Sequence, residues 1–450
     1  MTSAPASSGS VTAQRTGPLK GVISVPGDKS ISHRALIFGA LATGNTRITG
    51  LLEGEDVLRT ADAMRNLGAR VTRDTDGCWQ VTGNGVGALA EPDRVLDMGN
   101  SGTAARLLMG LVASCPFTTF FSGDASLHRR PMARVSLPLE EMGARITSRS
   151  NGRFPLAITG RQLMPIDYEL PVASAQVKSA LLLAALDTAG LTRITEPRPT
   201  RDHTENMLRH FGAKVTVTEQ RDGSRVIELA GQQELRAADI IVPGDPSSAA
   251  FVVVAATILP GSDVTLTNVG LNPLRDGLFE TLIEMGADIE VTNIREQAGE
   301  KVGDLRVKSS VLSGIEVPPE RAPSMIDEYP VLFVAAAFAK GKTVLRGLRE
   351  LRVKESDRLA TMATGLRACG VTLEELEDGL IIESDGAAPA GGAYVETLLD
   401  HRIAMSFLVM GLAAESSVTV DDGRVMETSF PGFVSLLRGL GGKFSNGSPA

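Results

Sequence analysis

Amphipathic stretches with helical spacing recur six times along the chain, and each ends at a glycine that precedes a short strand. The glycines are Gly68, Gly143, Gly212, Gly286, Gly370 and Gly441. Glycine is favoured in the left-handed turn just beyond a helix end, so each stretch is expected to stop there. The glycines recur every 69 to 84 residues, and a period this regular predicts one supersecondary unit used six times.

A second helix begins each unit, and its residues are apolar on nearly every side. These helices are predicted over Ile31–Leu41, Ala104–Val112, Val177–Leu186, Ala249–Ile258, Tyr329–Phe338 and Ile403–Ala413. A helix without a polar face is buried in a core, and these runs are shorter than the roughly 20 residues that span a bilayer. Each unit is therefore predicted to contain a strand, a buried helix, a strand, an amphipathic helix and one or two further strands.

Polar residues gather at the starts of the buried helices. They are Asp28–Ser30, Asn100–Ser101, Ser174–Gln176, Asp245–Ser248, Ser324 with Asp327–Glu328, and Asp400–Arg402. A helix N-terminus exposes backbone N–H groups and carries about half a positive charge. If the six starts face one cavity, that cavity suits an anion.

The six units divide naturally into two domains of three. Two similar segments, Val25–Asp28 and Val242–Asp245, are inferred to be crossings between the domains. The predicted domains are residues 28–243 and residues 1–27 together with 244–450, so that the first strand belongs to the second domain. Paired crossings can act as a hinge that closes two domains on a ligand.

The composition excludes several classes of partner. A net charge of -8 argues against a general binder of nucleic acid or of an anionic membrane, and 4% aromatic residues are too few for a base-stacking surface. Three cysteines without C-x-x-C spacing predict neither a disulfide framework nor a zinc site. Residues 1–15 are mostly small and polar, which predicts a disordered tail, no signal peptide and a cytoplasmic protein.

Cations stand at the start of the first buried helix. Lys29 and Ser30 open this helix, and Arg34 shares a face with Ser30 one turn later. A cation is unfavourable at a helix N-terminus, and a bound anion would compensate for it. The alternative interpretation is an ordinary helix cap with solvated charges.

Charged residues also gather at helix starts in the second half of the chain. Lys354 and Arg358 stand one turn apart with Glu355 beside them, which fits either a ligand site or a solvated helix face. Asp327 and Arg402 precede apolar helices, where a carboxylate needs a cation or donors nearby and is suited to acid–base chemistry. Cations at the helix starts of an acidic chain predict a small polyanionic substrate.

These residues resemble the 5-enolpyruvylshikimate-3-phosphate (EPSP) synthase family over nearly all of the chain from about Leu19. The motifs that carry the resemblance are Gly27–Arg34, Gly99–Thr103, Arg130–Pro131, Ser174–Gln176, Arg201–Glu205, Arg352–Arg358 and Asp400–Arg402. The resemblance implies a two-domain, inside-out α/β barrel, in which each domain has three βαβαββ units around buried parallel helices.

The resemblance also implies a reaction of the shikimate pathway, towards chorismate and the aromatic amino acids. In this reaction the 5-hydroxyl of shikimate 3-phosphate adds to C2 of phosphoenolpyruvate while C3 gains a proton, and the intermediate then loses phosphate. The family implies a monomer that needs no metal and no organic cofactor. Arginine suits such substrates because its planar fork binds phosphate and carboxylate through two parallel bonds.

Site residues follow from the resemblance position by position. The implied shikimate 3-phosphate contacts are Lys29, Ser30, Arg34, Ser174, Ala175, Gln176, Arg201, Asp327 and Lys354. The implied phosphoenolpyruvate contacts are Lys29, Asn100, Gly102, Arg130, Gln176, Arg358 and Arg402. The implied catalytic residues are Asp327, which holds the attacking hydroxyl, Glu355, which handles the methyl proton, and Lys29, between both substrates. Which acid performs which proton transfer stays open.

Some features bear on the herbicide glyphosate, which the resemblance implies as an inhibitor. Ser174–Gln176, Arg201–Glu205 and Thr428 resemble the class II branch, which tolerates glyphosate, and many other members have a lysine in the position of Thr428. Two residues depart from that branch, because Gly102 has no methyl group to crowd an inhibitor and Leu274 replaces a frequent threonine. Intermediate tolerance at best is predicted.

Two other functions compete with this interpretation. The sister enzyme that acts on UDP-N-acetylglucosamine normally has Lys-Asn near the first helix and a cysteine in a catalytic loop, whereas Ser30 follows Lys29 here and Cys115 ends an apolar helix. A non-catalytic repeat scaffold would repeat its surface, whereas the six helix starts differ. A product assay with each acceptor and the turnover of a Lys29→Met variant separate these functions.

Overall fold

A computed structural model describes residues 9–446, and this part of the chain forms two compact units. The first-half unit is Gly27–Pro243 together with the short segment Glu296–Lys301. The second-half unit contains the chain up to Pro26, Gly244–Arg295 and the chain from Val302 onward. The chain therefore passes between units near residues 26 and 243, as the two similar segments suggest, and again on either side of residues 296–301.

Three repeats make up the first-half unit, after two strands that belong to the other unit. These strands are β1 (Val11–Gln14) and β2 (Lys20–Ile23). The first repeat is α1 (Lys29–Leu41), β3 (Ala42–Thr49), α2 (Glu55–Asn66), β4 (Arg70–Arg73) and β5 (Trp79–Asn84). The second is β6 (Leu96–Asp97), α3 (Gly102–Val112), β7 (Thr118–Ser122), α4 (Ala133–Glu141), β8 (Arg145–Arg149) and β9 (Arg153–Thr159). The third is β10 (Asp167–Glu169), α5 (Ala175–Ala185), β11 (Leu191–Glu196), α6 (His203–His210), β12 (Val215–Glu219) and β13 (Arg225–Ala230).

The second-half unit follows two short strands, β14 (Leu235–Arg236) and β15 (Ile240–Ile241). Its first repeat is α7 (Pro246–Ile258), β16 (Asp263–Gly270), α8 (Gly277–Glu284), β17 (Asp288–Gln297) and β18 (Glu300–Lys308). The second is β19 (Glu316–Val317), α9 (Ala322–Met325), α10 (Tyr329–Ala337), β20 (Gly341–Leu345), α11 (Arg358–Ala368), β21 (Thr372–Leu376) and β22 (Gly379–Ser384). The third is β23 (Tyr394–Val395), α12 (His401–Ala413), β24 (Val418–Val420), α13 (Phe433–Gly439) and β25 (Lys443–Asn446).

Each repeat contributes a small mixed sheet with the same order. In the first-half unit the orders are β14-β3-β5-β4, with β15 also on β3, then β6-β7-β9-β8 and β10-β11-β13-β12. In the second-half unit they are β17-β18-β16-β2, β19-β20-β22-β21 and β23-β24-β1-β25. The strand after each buried helix pairs with one parallel and one antiparallel neighbour, for example β7 with β6 and β9. The predicted α/β fold of two domains is confirmed.

Buried helices fill the core of each unit, as their apolar sequences predict. All 13 residues of α7 and all 13 of α12 are buried. In the first-half unit, α3 and α5 approach closely at Gly110, where a Cβ atom would lie 2.1 Å from the carbonyl oxygen of Ala180. A side chain at this position would separate the two helices, so glycine sets their spacing.

Glycine ends the amphipathic helices at the predicted positions. All six repeat glycines have positive φ, for example Gly143 at 110° and Gly441 at 112°, a region that L-residues with a Cβ rarely occupy. Within residues 9–446, no helix is both long enough and apolar enough to cross a membrane.

The expectation that residues 1–15 form a disordered tail is wrong where the structure describes them. β1 is an inner strand that pairs antiparallel with β24 and β25, and Ala13 is fully buried. Small side chains are what this strand requires, because a Cβ placed on Gly411 of α12 would lie 2.9 Å from the Cβ of Ala13. The small side chain of Ala13 therefore fits its close packing against α12. Residues 1–8 lie outside the described residues.

Candidate functional site

Polar residues at the starts of the buried helices serve first as N-caps. Within the described chain, five of the six buried helices have a side chain that accepts a hydrogen bond from a backbone N–H of the first turn. These caps are Asp28, Ser101, Ser174, Asp245 and Asp400. The sixth helix, α10, follows Glu328, which makes no such bond, and is preceded by the short α9. Capping explains part of the polar pattern, since it satisfies donors that a helix leaves unpaired.

Cations surround the first turn of α1 in the first-half unit. The Nζ atom of Lys29 lies 3.0 Å from Oδ2 of Asp56, so a carboxylate compensates for the lysine at this helix start. Arg34 is buried, and its Nη1 donates to the carbonyl oxygen of Ser30. Burial lowers the pKa of Arg34 to about 10, and the charge of Arg201 acts in the same direction, which places both cations within electrostatic reach.

A second polar group lies at the start of α3. Arg130 donates from Nη2 to Oδ1 of Asn100 at 2.9 Å and to Oγ of Ser126 at 3.2 Å. Asn100 donates in turn from Nδ2 to Oδ2 of Asp124 at 2.7 Å. The structure therefore brings Asn100 and Arg130 into direct contact.

Gly102 is the first residue of α3 and faces two arginines. A Cβ on Gly102 would lie 3.1 Å from Nη1 of Arg106 and 3.1 Å from Nη1 of Arg130. Arg106 donates to Oε1 of Gln176 at 2.6 Å, and Nε2 of Gln176 donates to Oγ1 of Thr103 at 2.9 Å. Side-chain hydrogen bonds thus join the first turns of α3 and α5.

The second-half unit contains a separate network around Asp327. Oδ1 of Asp327 lies 3.3 Å from Nζ of Lys354 and 3.4 Å from Nη1 of Arg358. The backbone oxygen of Asp327 accepts a hydrogen bond from Nη1 of Arg402 at 2.8 Å. Lys354 and Arg358 therefore fix the orientation of the Asp327 carboxylate, and Arg402 holds the backbone of the same residue.

Arg358 is the most deeply buried cation of this network. Its Nε donates to Oδ2 of Asp400 at 2.8 Å, and its Nη2 lies 2.6 Å from Oε2 of Glu355. Although burial opposes the charged form, these carboxylates hold the pKa of Arg358 above its ordinary value. Burial acts to raise the pKa of Asp400 as well, but the charge of Arg358 keeps it below its ordinary value. Both groups are therefore charged at neutral pH.

Glu328 connects this network to the start of α7. Its Oε1 accepts a short hydrogen bond from Oγ of Ser247, and it lies 3.8 Å from Nη1 of Arg402. Arg275 donates to the same Ser247 oxygen at 2.8 Å and lies 3.2 Å from Oδ1 of Asp245. These buried charges are paired, as charges in a protein interior must be.

The residues predicted from sequence thus fall into groups within each unit. Those in the first-half unit are Lys29, Ser30, Arg34 and Arg201 near α1, Asn100, Gly102 and Arg130 at α3, and Ser174, Ala175 and Gln176 at α5. Those in the second-half unit, Asp327, Lys354, Glu355, Arg358 and Arg402, form one network. Thr428 does not join this network, since its hydroxyl donates to the carbonyl of Val425. No cluster of three or more His, Cys, Asp or Glu side chains in the described part of the chain could hold a metal ion.

Sequence reasoning missed two cations inside apolar helices. Arg106 lies one turn beyond Gly102 in α3, and Lys178 lies in the first turns of α5. Both lie within runs that are predicted to be apolar on nearly every side. A lone cation in a buried helix requires a partner, and this signal could have marked both residues.

Comparisons with known proteins show which family the chain is similar to. Residues 13–437 match the family model of EPSP synthase (3-phosphoshikimate 1-carboxyvinyltransferase). The protein named 3-phosphoshikimate 1-carboxyvinyltransferase from Paramagnetospirillum magneticum is 62% identical over 98% of this chain and 99% of its own length. The protein of that name from Parvibaculum lavamentivorans is also 62% identical, over 97% of each chain. The solved structure of EPSP synthase from Acinetobacter baumannii is 45% identical, covers 97% of this chain and 99% of its own, and has a TM-score of 0.86.

Proposed function

The chain belongs to the EPSP synthase family, and we propose from this premise that it is a 3-phosphoshikimate 1-carboxyvinyltransferase of the shikimate pathway. It transfers the enolpyruvyl group of phosphoenolpyruvate to the 5-hydroxyl of shikimate 3-phosphate and releases phosphate. One observation supports this most strongly: Asp327, Lys354, Glu355, Arg358 and Arg402 come from three separate segments of the sequence and form one network.

The proposed reaction has two balanced steps. In the addition, the 5-hydroxyl oxygen bonds to C2 of phosphoenolpyruvate, the hydroxyl proton leaves to a base, and C3 gains a proton. In the elimination, the bond between C2 and the phosphate oxygen breaks, C3 loses a proton, and the product is an enolpyruvyl ether with inorganic phosphate. Each step needs positive charge around the phosphate and carboxylate groups and a group that moves a proton.

We assign binding of shikimate 3-phosphate to residues at or near the helix starts. In the first-half unit these are Lys29, Ser30, Arg34, Ser174, Ala175, Gln176 and Arg201. In the second-half unit they are Asp327 and Lys354. A charge-assisted hydrogen bond is worth roughly 1.5–3 kcal/mol, so several such bonds account for the recognition of a phosphate and a carboxylate.

Phosphoenolpyruvate is assigned to a second set of residues. The set is Lys29, Asn100, Gly102, Arg130, Gln176, Arg358 and Arg402. Arg130 is already oriented by Asn100, and Gly102 leaves room for a ligand beside that arginine. Arg358 has a second task, since its buried guanidinium holds Asp327, Glu355 and Asp400 in place.

Three residues are assigned to the proton transfers. Asp327 holds the attacking hydroxyl and takes its proton, because Lys354 and Arg358 fix this carboxylate. Glu355 is assigned to the transfer of the methyl proton at C3. Lys29, whose amine carries positive charge next to Asp56, stabilises charge between the two substrates.

The branch of the family, the response to glyphosate, the oligomeric state and the location are proposed from the sequence. We assign the chain to the class II branch, with glyphosate as an inhibitor and intermediate tolerance at best. Support comes from Thr428, whose neutral side chain stands where many members have a lysine, whereas Gly102 and Leu274 depart from that branch. The protein is proposed to act as a monomer in the cytoplasm.

A product assay tests the assignment. Wild-type protein with shikimate 3-phosphate and phosphoenolpyruvate should release phosphate and form the enolpyruvyl ether, identified by NMR. UDP-N-acetylglucosamine as acceptor should give no product. Lys29→Met should lower turnover by roughly 10²- to 10³-fold, as expected for the loss of a charge that stabilises the transition state.

Lys214→Met is the matched control, because Lys214 is an exposed lysine of the same unit outside the proposed site. It should keep wild-type turnover. Phosphate release by Lys29→Met at the wild-type rate would overturn the role of Lys29, and product formed only from UDP-N-acetylglucosamine would overturn the proposed reaction.

A further inference from the structure

Three neutral oxygen atoms accept hydrogen bonds from the buried guanidinium of Arg34, and the negative charges of Glu205, Asp28 and Glu300 lie within electrostatic reach of it. Its Nε donates to Oγ1 of Thr204 at 2.7 Å, and its Nη2 donates to Oγ of Ser179 at 2.7 Å. Its Nη1 donates to the backbone oxygen of Ser30 at 3.0 Å. The three acceptors come from α1, α5 and α6, so three helices of the first-half unit fix one side chain.

Hydroxyl acceptors fix the orientation of an arginine without neutralising its charge. Arg358 shows the contrast, because its guanidinium is paired with the carboxylates of Asp327, Glu355 and Asp400. The three bonds of Arg34 use three of its five N–H groups, which leaves one N–H on each terminal nitrogen. Two such groups form the fork that binds phosphate or carboxylate.

The two hydroxyls are themselves held in place. Thr204 donates from Oγ1 to Oγ of Ser179 at 2.7 Å. Their neighbours in sequence, Lys178 and Glu205, form a fully buried ion pair at 2.7 Å, and Glu196 lies 3.0 Å from the same ammonium. This ion pair joins α5 to α6 next to Ser179 and Thr204.

We propose that Thr204 and Ser179 are positioning residues, which orient the two remaining N–H groups of Arg34 towards shikimate 3-phosphate. The ion pair of Lys178 and Glu205 keeps the two hydroxyls in position. The inference rests on the proposed function, since Arg34 is assigned there to shikimate 3-phosphate. The proposal explains what the segment Arg201–Glu205 does, because Thr204 and Glu205 position Arg34. The sequence resemblance alone does not provide this explanation.

Two substitutions of Thr204 test the proposal, one that removes its hydroxyl group and one that keeps it. Thr204→Val removes the acceptor for Nε at nearly constant shape, and Thr204→Ser keeps it. The control is Thr257→Val, which removes the hydroxyl of a buried helical threonine in the second-half unit, bonded only to the carbonyl of Val253. Calorimetric titration with shikimate 3-phosphate and steady-state kinetics are measured on all four proteins.

Thr204→Val is expected to raise the Kd and KM for shikimate 3-phosphate by about tenfold, with the KM for phosphoenolpyruvate changed by less than about twofold. Thr204→Ser and Thr257→Val should stay within about twofold of wild type for both substrates. If Thr204→Val does not fold, Ser179→Ala removes the other hydroxyl and should show the same selective loss.

Two results would overturn the positioning role while leaving the proposed function intact. One is an unchanged Kd for shikimate 3-phosphate in both Thr204→Val and Ser179→Ala. The other is an equal loss in Thr204→Ser and Thr204→Val, or an equal loss for both substrates, which would show a merely structural residue. If wild-type protein does not bind shikimate 3-phosphate, the proposed function fails, and this inference fails with it.

Discussion

At the scale of single residues, Arg34 and Arg358 are both buried arginines that differ in what they contact. Arg34 donates to hydroxyl and carbonyl oxygens, whereas Arg358 is paired with carboxylates. A guanidinium held by neutral acceptors keeps its charge for a ligand, and one paired with carboxylates organises those carboxylates. The two arginines therefore suit different tasks in the proposed site.

Gly102 gives a prediction about inhibitor selectivity. In Gly102→Ala the new methyl group would lie 3.1 Å from Nη1 of both Arg106 and Arg130, so these side chains must shift by a few tenths of an ångström. Glyphosate has one more backbone atom than phosphoenolpyruvate between its carboxylate and its phosphorus, so it should tolerate the reduced space less well. We expect the inhibition constant for glyphosate to rise by about tenfold or more, against less than about threefold for the KM of phosphoenolpyruvate.

Steady-state inhibition kinetics check this prediction, with Gly17→Ala as the control. A Cβ on Gly17 would meet no atom within 4 Å, so that variant should behave as wild type. Equal rises in both constants for Gly102→Ala would contradict the selectivity and would show general damage to the proposed phosphoenolpyruvate contacts.

His33 gives a prediction about pH. Burial lowers the pKa of His33 well below 6.5, and the charges of Lys29 and Arg34 lower it further, so the native state holds a neutral imidazole. As pH falls below 6.5, the unfolded chain gains a proton that the folded chain excludes. The stability from His33 is therefore present above pH 6.5 and is lost below it, by at most about 1.4 kcal/mol per pH unit.

Urea unfolding between pH 7 and pH 5 measures this loss. His33→Asn cannot titrate, so its free energy of unfolding should fall less steeply with decreasing pH than that of wild type. Identical slopes for His33→Asn and wild type would show that His33 is not the group responsible.

Sequence reasoning finds residues that stand next to a helix start and misses those that act across helices. Ser30 and Arg34 stand four residues apart, so their spacing alone predicts a shared face. Thr204 and Ser179 lie in different helices from Arg34, and the hydrogen bonds that join them depend on tertiary packing. Asp56 as the partner of Lys29 was missed for the same reason.

At the scale of elements, periodicity locates the helices well and composition misleads at β1. The predicted helix over Ile31–Leu41 corresponds to α1, which begins two residues earlier because Asp28 caps it. β1 was missed because alternating small residues carry little hydrophobic signal, although the sheet pairs the strand on both sides. Tertiary pairing, which no local pattern encodes, decides the structure there.

The buried position of Ala13 in β1 gives a stability prediction. Ala13→Asp would bury a carboxylate against α12, where Gly411 leaves space for one methyl group only. We expect the free energy of unfolding to fall by about 3 kcal/mol or more. The adjacent Gln14→Asp, on the exposed side of the same strand, should change it by less than about 0.5 kcal/mol.

Urea unfolding of the two variants distinguishes a strand from a tail. If residues 11–14 were a tail, both substitutions would leave the unfolding free energy at the wild-type value. A large loss in Ala13→Asp alone supports the alternation of buried and exposed side chains that a strand requires.

At the scale of the whole molecule, two units of three repeats each contribute residues to one proposed reaction. Regular spacing of the repeat glycines is sufficient to predict the number of repeats, since one unit recurs six times. The segment Glu296–Lys301 belongs to the first-half unit, although the strands on either side of it belong mainly to the second-half unit. The sequence does not predict this assignment, because the segment reads as the turn of an ordinary hairpin.

The central claim is that the residue sets assigned to the two substrates overlap, with Lys29 and Gln176 assigned to both. Calorimetric titration of wild-type protein with phosphoenolpyruvate, alone and with saturating shikimate 3-phosphate, tests it most directly. If bound shikimate 3-phosphate orders the shared residues, its presence should lower the Kd for phosphoenolpyruvate by at least about tenfold. This change corresponds to a coupling free energy of about 1.4 kcal/mol. The same Kd in both titrations would contradict the claim.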